Sequence, residues 1–259
     1  MSGHGAGRTL DAMTTSVHEI ADGVYRLSTC VPDVVPGGFT FNQYLIDAEE
    51  PLLFHTGPRR MFPLVADAVG RVLDVSRLRW ISFGHVEADE CGAMNEWLAA
   101  APEARVTFNR LGCLVSVEDL ADRPPEPVDD GARLDLGGHV VRTIATPHVP
   151  HGWEAQVLHD ETTGTLLCGD LFTRTGDGPA LVHDTDLIGP ALEAEDLFGA
   201  TALTAHTAPT LRTLADLAPR TLALMHGPAF VGDCRAALLE AADVYEARHR
   251  AACEAGVAA

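Results

Sequence analysis

Residues 85–90, His85-Val86-Glu87-Ala88-Asp89-Glu90, alternate three potential metal ligands at i, i+2 and i+4 directly after an apolar run. On a loop leaving a strand, that spacing aims several side chains at one point. Imidazole and carboxylate suit zinc, iron or manganese, and the lack of a cysteine argues against a structural zinc finger. The same run also reads as an acidic helix start, where Asp and Glu are common. Three later residues share the context of an apolar run that stops at one ligand-type side chain beside Gly or Pro. They are His148 in Thr146-Pro147-His148-Val149-Pro150, Asp170 after Cys168-Gly169, and His226 before Gly227. Any one of them alone is an ordinary turn residue. Together they point to a metal site assembled at strand ends.

The elements that must carry these residues follow from periodicity and turn signals. Residues 18–29 and 39–55 each read as two short strands, and 60–74 as a helix with apolar residues three and four apart. Strand 77–85 ends in His85. A helix over 90–100, a strand at 104–109 and a helix at 110–119 follow, then a Pro- and Asp-rich loop at 123–131. Strands come next around 133–136, 139–147, 155–160 and 164–170. A loop at 173–190, helices at 191–204 and 208–217, a strand at 221–226 and a long amphipathic helix at 231–255 complete the chain. Strands and helices mixed in this way predict an α/β fold of two sheets covered by helices. Residues 1–17 are expected to be a flexible tail and 18–259 a single domain, since no linker is long enough to divide the chain.

The ordered set HxExD, a His after Thr-Pro, Gly-Asp and His-Gly resembles the metallo-β-lactamase superfamily. Ala21-Asp22-Gly23-Val24-Tyr25-Arg26-Leu27 and the Asn42-Gln43-Tyr44-Leu45-Ile46 run resemble it too. The resemblance covers residues 18–230 and implies a four-layer αββα sandwich with two metals on one edge. Zinc hydrolases of the superfamily usually carry HxHxDH. Glu87 is instead similar to flavodiiron proteins and related oxygen-binding di-iron proteins, which carry HxExDH. That likeness implies one iron on His85, Glu87 and His148, a second on Asp89 and His226, and Asp170 bridging them. A carboxylate in place of a histidine makes a site harder and more anionic, which favours iron over zinc.

Two positions depart from the pattern. Glu90 stands where the last His of HxExDH is usual, as a ligand of the second metal, a water partner or a helix-start carboxylate. His55, in His55-Thr56-Gly57, stands where a strand-end Asp is usual, either as a hydrogen-bond partner behind the ligands or as a buried histidine satisfied by backbone. His151 lies three residues beyond His148, as a pocket residue or a competing ligand; His148 is preferred because His-x-Pro matches the family pattern. Trp153, Phe172 and Tyr44 are candidate pocket walls, with core packing the ordinary role of aromatics.

The resemblance implies a di-iron protein that binds, reduces or uses O2 or NO, as oxidoreductase, oxygenase or sensor. The alternative is a hydrolase of esters, thioesters or lactones with zinc or mixed metals. A third reading is a regulatory module with a structural or half-filled site. The chain shows no flavodoxin-like FMN domain, so an external electron-transfer reductase is expected for turnover, with O2, NO or a small organic molecule as substrate and a homodimer as a common assembly of the family. All 18 basic residues are arginine against 37 acidic ones, a net charge of −19, which repels nucleic acid and anionic membrane surfaces. No phosphate loop or GxSxG is present. Six scattered cysteines, no apolar run of about 18 residues and no secretory leader predict a cytoplasmic protein with reduced thiols.

Overall fold

Successive side chains of a strand point to opposite faces, so a strand buried on both sides must be apolar at nearly every position. Residues 52–54, Leu-Leu-Phe, are such a case: Leu53 packs into one apolar cluster, while Leu52 and Phe54 pack into another. Leu45 sides with Leu53, and Tyr44 and Ile46 with the other pair. The later strands repeat the division, with Val157 and Leu166 on one side of their sheet and Leu158 and Leu167 on the other. Three apolar layers therefore separate four layers of structure.

The computed structural model describes residues 13–183 and 186–256. Its first sheet has the order β1 (Thr15–Ala21), β2 (Val24–Val31), β3 (Phe39–Ile46), β4 (Leu52–Phe54), β5 (Trp80–Ser82), β6 (Arg105–Asn109) and β7 (Glu126–Val128). Helices α1 (Phe62–Gly70), α2 (Ala88–Cys91) and α3 (Met94–Ala100) follow β4 and β5, and α4 (Arg110–Gly112) and α5 (Glu118–Leu120) flank a π turn after β6. The second sheet contains β8 (Arg133–Asp135), β9 (Val140–Ala145), β10 (Gln156–Asp160), β11 (Thr165–Leu167), β12 (Leu181–His183), β13 (Thr221–Ala223) and β14 (Ala229–Val231), in the order β12-β14-β13-β11-β10-β9-β8. Helices α6 (Ile188–Phe198), α7 (Thr207–Asp216) and α8 (Cys234–Glu254) belong to this half. The outer clusters join α1 and α3 to the first sheet and α6 to α8 to the second, and the middle cluster joins the two sheets. This is the αββα sandwich that the resemblance implies.

Three short strands fall where the sequence reads as loop or helix. β7 carries Pro127, which a sheet tolerates at its edge because no partner there needs its missing N–H. β12 and β14 each follow a Gly-Pro step, Gly178-Pro179 and Gly227-Pro228, which reads as a turn and hides the short strand behind it. Of the expected tail, residues 1–12 lie outside the described residues, while Thr15, Ser16 and Val17 pair with Thr29, Ser28 and Leu27 as the start of β1. No helix among the described residues is long and apolar enough to cross a membrane.

Trp97 anchors the first outer layer. Its ring is fully buried, packs edge-on against Phe62 at 5.1 Å, and its Nε1–H donates to the Thr56 carbonyl at 3.0 Å. Trp97→Ala leaves a large cavity and an unpaired carbonyl, and is expected to cost about 3–5 kcal/mol. Urea unfolding followed by circular dichroism measures it.

Candidate metal centre

Strands β5, β9, β11 and β13 end on the same edge of the sandwich, and the loops leaving them carry the candidate ligands. After β5 the chain passes through Gly84 to His85, and the single turn of α2 follows. Glu87 occupies the position before α2 but makes no side-chain capping bond there. Its carboxylate instead meets His85 Nε2 at 2.7 Å and His151 Nε2 at 3.2 Å. An acidic helix start alone does not explain that geometry.

Asp170 sits at the centre. Its Oδ2 lies 3.4 Å from His151 Nε2 and 3.9 Å from His85 Nε2, while its Oδ1 lies 3.3 Å from His226 Nε2. On that second side Asp89 Oδ2 is 3.4 Å from His226 Nε2. His85, Glu87, His151 and Asp170 each place one donor atom within 4.8 Å of the others. The two oxygens of Asp170 thus face two separate groups of donors.

The structure corrects the choice between the two histidines of the β9–β10 loop. His148 adopts φ +63° in a turn closed by its own N–H to the Gly152 carbonyl at 2.7 Å, and its side chain is exposed. His151, three residues on, turns back into the cluster, with its ring edge-on to that of His85 at 4.4 Å. Trp153 is 41% exposed and absent from the cavity wall. Tyr44 is buried between the sheets, donating to the Leu224 carbonyl at 2.7 Å. Phe172 lines a small adjoining cavity with Leu171 and Tyr245. His55 and Glu90 are both fully buried behind His85, in contact with one another at 3.4 Å.

Several positioning groups escape the sequence reading. The His226 Nδ1 stands 2.7 Å from the Thr40 carbonyl, which leaves Nε2 to face Asp89 and Asp170. Phe39 stacks on the same ring at 4.2 Å. Asn42 donates to the carbonyls of Leu224 and Gly227, and Arg26 to that of Gly227, so β2 and β3 of one sheet hold the His226 loop of the other. Glu154 accepts from the Val86 N–H at 3.0 Å, and Gln156 donates to Ser82 Oγ and the Phe83 carbonyl. Buried polar groups bonded to the backbone of a distant loop have no motif; Asn42 and Tyr44 carry a sequence signal only because they lie in the family-like β3 run.

The electrostatics ask for a cation. Four carboxylates (Glu87, Asp89, Glu90, Asp170) and four imidazoles (His55, His85, His151, His226) share the centre, and buried charge persists only when paired or metal-bound. Burial alone would lower the pKa of His85, yet Glu90, Glu87 and Asp170 push it up to about 12. Burial is likewise overcome at His226, which Asp170 and Asp89 push up to about 10. Asp170 is held down to about 2: burial opposes this, but His226 and the other imidazoles outweigh it. Bonds from His151 and His85 hold Glu87 far below the usual carboxylate range. Without a metal, protons on His85, His151 and His226 supply positive charge, whereas burial pushes the pKa of His55 down. Asp170 Oδ1 is buried without a hydrogen-bond partner, as a metal-facing oxygen would be. The donor set fits a pair of hard or borderline ions.

In front of the centre lies an open cavity of about 420 Å³. Phe39, Phe198, Ala200 and Thr173 form its walls, and Glu87, Asp89, His151, Asp170 and His226 its floor.

Comparison with known proteins agrees with this architecture. The chain is 29% identical over 138 residues to putative diflavin flavoprotein A 3 of Nostoc sp. PCC 7120, covering 52% of this chain and 24% of that protein. It is 25% identical over 139 residues to rubredoxin-oxygen oxidoreductase of Megalodesulfovibrio gigas, covering 53% of this chain and 34% of that one. It therefore spans about a quarter to a third of the length of these relatives. The metal-soaked Flv1 flavodiiron core of Synechocystis sp. PCC 6803 superposes with a TM-score of 0.77 at 22% identity, over 90% of this chain and 61% of that one, a likeness of fold. The family model for ODP family beta lactamase matches residues 39–207, well over half of the chain, and the protein belongs to that family.

Proposed function

We propose that the protein is a non-haem di-iron protein that binds and reduces, or otherwise uses, O2 or NO. The observation that carries the reading is Asp170, whose two oxygens face two separate groups of His and carboxylate donors. His85, Glu87 and His151 would hold one iron and Asp89 and His226 the other, with Asp170 shared. If these residues held paired irons, the metals would add redox chemistry toward a diatomic molecule that zinc lacks. The chain's own contribution is to fix those donors. Thr40 and Phe39 set the His226 ring, and Glu154 and Gln156 hold the loop of His85 and Glu87. Phe39 and Phe198 present apolar surface above the centre, which suits an uncharged ligand and limits water at its walls. The relatives' names, diflavin flavoprotein and rubredoxin-oxygen oxidoreductase, support the redox reading.

The cavity is far larger than a diatomic molecule needs. That size favours a second reading, in which an organic ester, thioester or lactone is hydrolysed at a zinc or mixed-metal centre. Metal analysis and an optical spectrum on protein from iron-supplemented cells separate the two. Two irons per chain, with near-ultraviolet absorption that changes on reduction and exposure to O2 or NO, are expected. Protein that takes up only zinc under those conditions, stays colourless and turns over an ester panel sinks the iron reading.

The raised histidines give a pH signature. An unfolded His titrates near about 6.5, whereas His226 in the fold titrates at about 10. In metal-free protein its stabilising contribution is thus complete below about 6.5 and is lost as the pH rises through about 10. A bound metal replaces that proton. Metal-free protein is expected to lose melting temperature between pH 7 and 10, and loaded protein to lose much less. Titrating metal at pH 7 in buffers of different ionisation enthalpy should show protons released from His85 and His226. Equal pH dependence of both forms, with no proton release, contradicts the assignment.

A further inference from the structure

The two departures from the family pattern meet in one contact. His55 stands where a strand-end aspartate is usual, and Glu90 where the last histidine of HxExDH is usual. His55 Nε2 lies 3.4 Å from Glu90 Oε1, and both side chains are fully buried. An imidazole stands where a carboxylate is usual and a carboxylate where an imidazole is usual, and in this chain the two touch. On its other side, His55 Nδ1 lies 3.3 Å from the Asn42 carbonyl.

Glu90 turns toward His85. Its Oε2 accepts the His85 backbone N–H at 2.6 Å, while its Oε1 makes no hydrogen bond and lies 3.2 Å from His85 Nδ1 and 3.4 Å from His55 Nε2 as a charge contact. Glycine makes room for this: a Cβ at Gly84 would lie 2.9 Å from Glu90 Oε2. A carboxylate facing a ring nitrogen keeps the proton on that nitrogen and leaves the other free to bind a metal. The other nitrogen, His85 Nε2, is the atom that faces Glu87 and Asp170.

We propose that Glu90 is a positioning residue rather than a metal ligand. In contact with His55, it holds the His85 backbone by a hydrogen bond, faces the ring at Nδ1 with its charge, and so favours the Nδ1–H tautomer that presents Nε2 to the first metal. The second metal then relies on Asp89, His226 and Asp170. This assignment rests on the two-metal reading of the site.

The test uses the full chain with zinc(II) as a diamagnetic probe. Metal affinity is measured by competition with a chelator, and histidine tautomers by nitrogen-15 NMR. Wild type should show the Nδ1–H tautomer at His85. In Glu90→Gln the amide has no charge to face His85 Nδ1, so that signature should change and affinity at the first position should fall about 10–100-fold. The second position should be retained. Loss of the second metal with His85 unchanged would make Glu90 a ligand and overturn the proposal, as would affinities within twofold of wild type. Wild type that binds no metal sinks the two-metal reading and this assignment with it. The pairing has its own check. H55D sets two carboxylates face to face and E90H two imidazoles, so the H55D/E90H double variant should melt above either single one. A double variant no more stable than the weaker single breaks the pairing.

Discussion

Asp170→Asn is expected to break the two-metal centre, emptying at least one metal position, while leaving the fold intact. Asn keeps the shape of the side chain but removes the charge, and replaces one oxygen with an amide nitrogen that has no lone pair to offer a metal. Either orientation of the amide therefore fails one of the two donor groups that Asp170 faces. Groups that merely support a metal ligand are worth about 10–100-fold in affinity, and a direct ligand common to both positions should exceed that. The consequence is thermodynamic as well as chemical. Metal at a hundred times its dissociation constant stabilises the wild type by about 2.7 kcal/mol per site, and at least one such increment should be lost in the variant. Melting curves with and without metal, alongside metal content, measure both effects. A variant that still gains stability and still binds two ions would remove Asp170 from the centre.

The second large effect distinguishes two histidines three residues apart. His151→Ala deletes an imidazole that faces both Glu87 and Asp170, at 3.2 and 3.4 Å. It should lose the first metal, retain the one on Asp89 and His226, and fall at least about a hundredfold in any activity that needs both ions. His148→Ala removes an exposed side chain, so metal content and activity should stay within twofold of wild type. The backbone makes this a clean comparison: His148 occupies the left-handed region at φ +63°, which Ala tolerates no better and little worse. If His148→Ala strips the first metal and His151→Ala does not, the loop closes differently when the site is filled.

That pair of residues also marks where sequence reading stops. The strand ends at His85, Asp170 and His226 are legible because an apolar run halted by a ligand-type residue and a glycine is a local pattern. His-x-Pro is also a local pattern, yet it selects His148. The choice is made by a turn in which the His148 N–H reaches the Gly152 carbonyl and Val149 N–H reaches that of Thr146. Such a turn swings residue 151 inward, and nothing in residue types alone specifies that direction. Glu90 is similar. Its spacing suggests a ligand, but the open space at Gly84 allows it to fold back beneath His85. The architecture is easier to read than the site because burial repeats along every strand. β7, β12 and β14 go unread because β7 carries Pro127 and the other two each follow a Gly-Pro step that reads as a turn.

The division of the chain between its two sheets has a further consequence. Among the described residues, every strand up to Val128 belongs to the first sheet and every strand from Arg133 to Val231 to the second. The ligand set divides at the same point, with His85, Glu87 and Asp89 on one side and His151, Asp170 and His226 on the other. A polypeptide cut at Gly131 would yield two fragments, each with half a coordination sphere and one face of the shared apolar layer. Neither fragment alone could build the two-metal centre, but their reunion would create it, so metal uptake would report that the two halves had found each other.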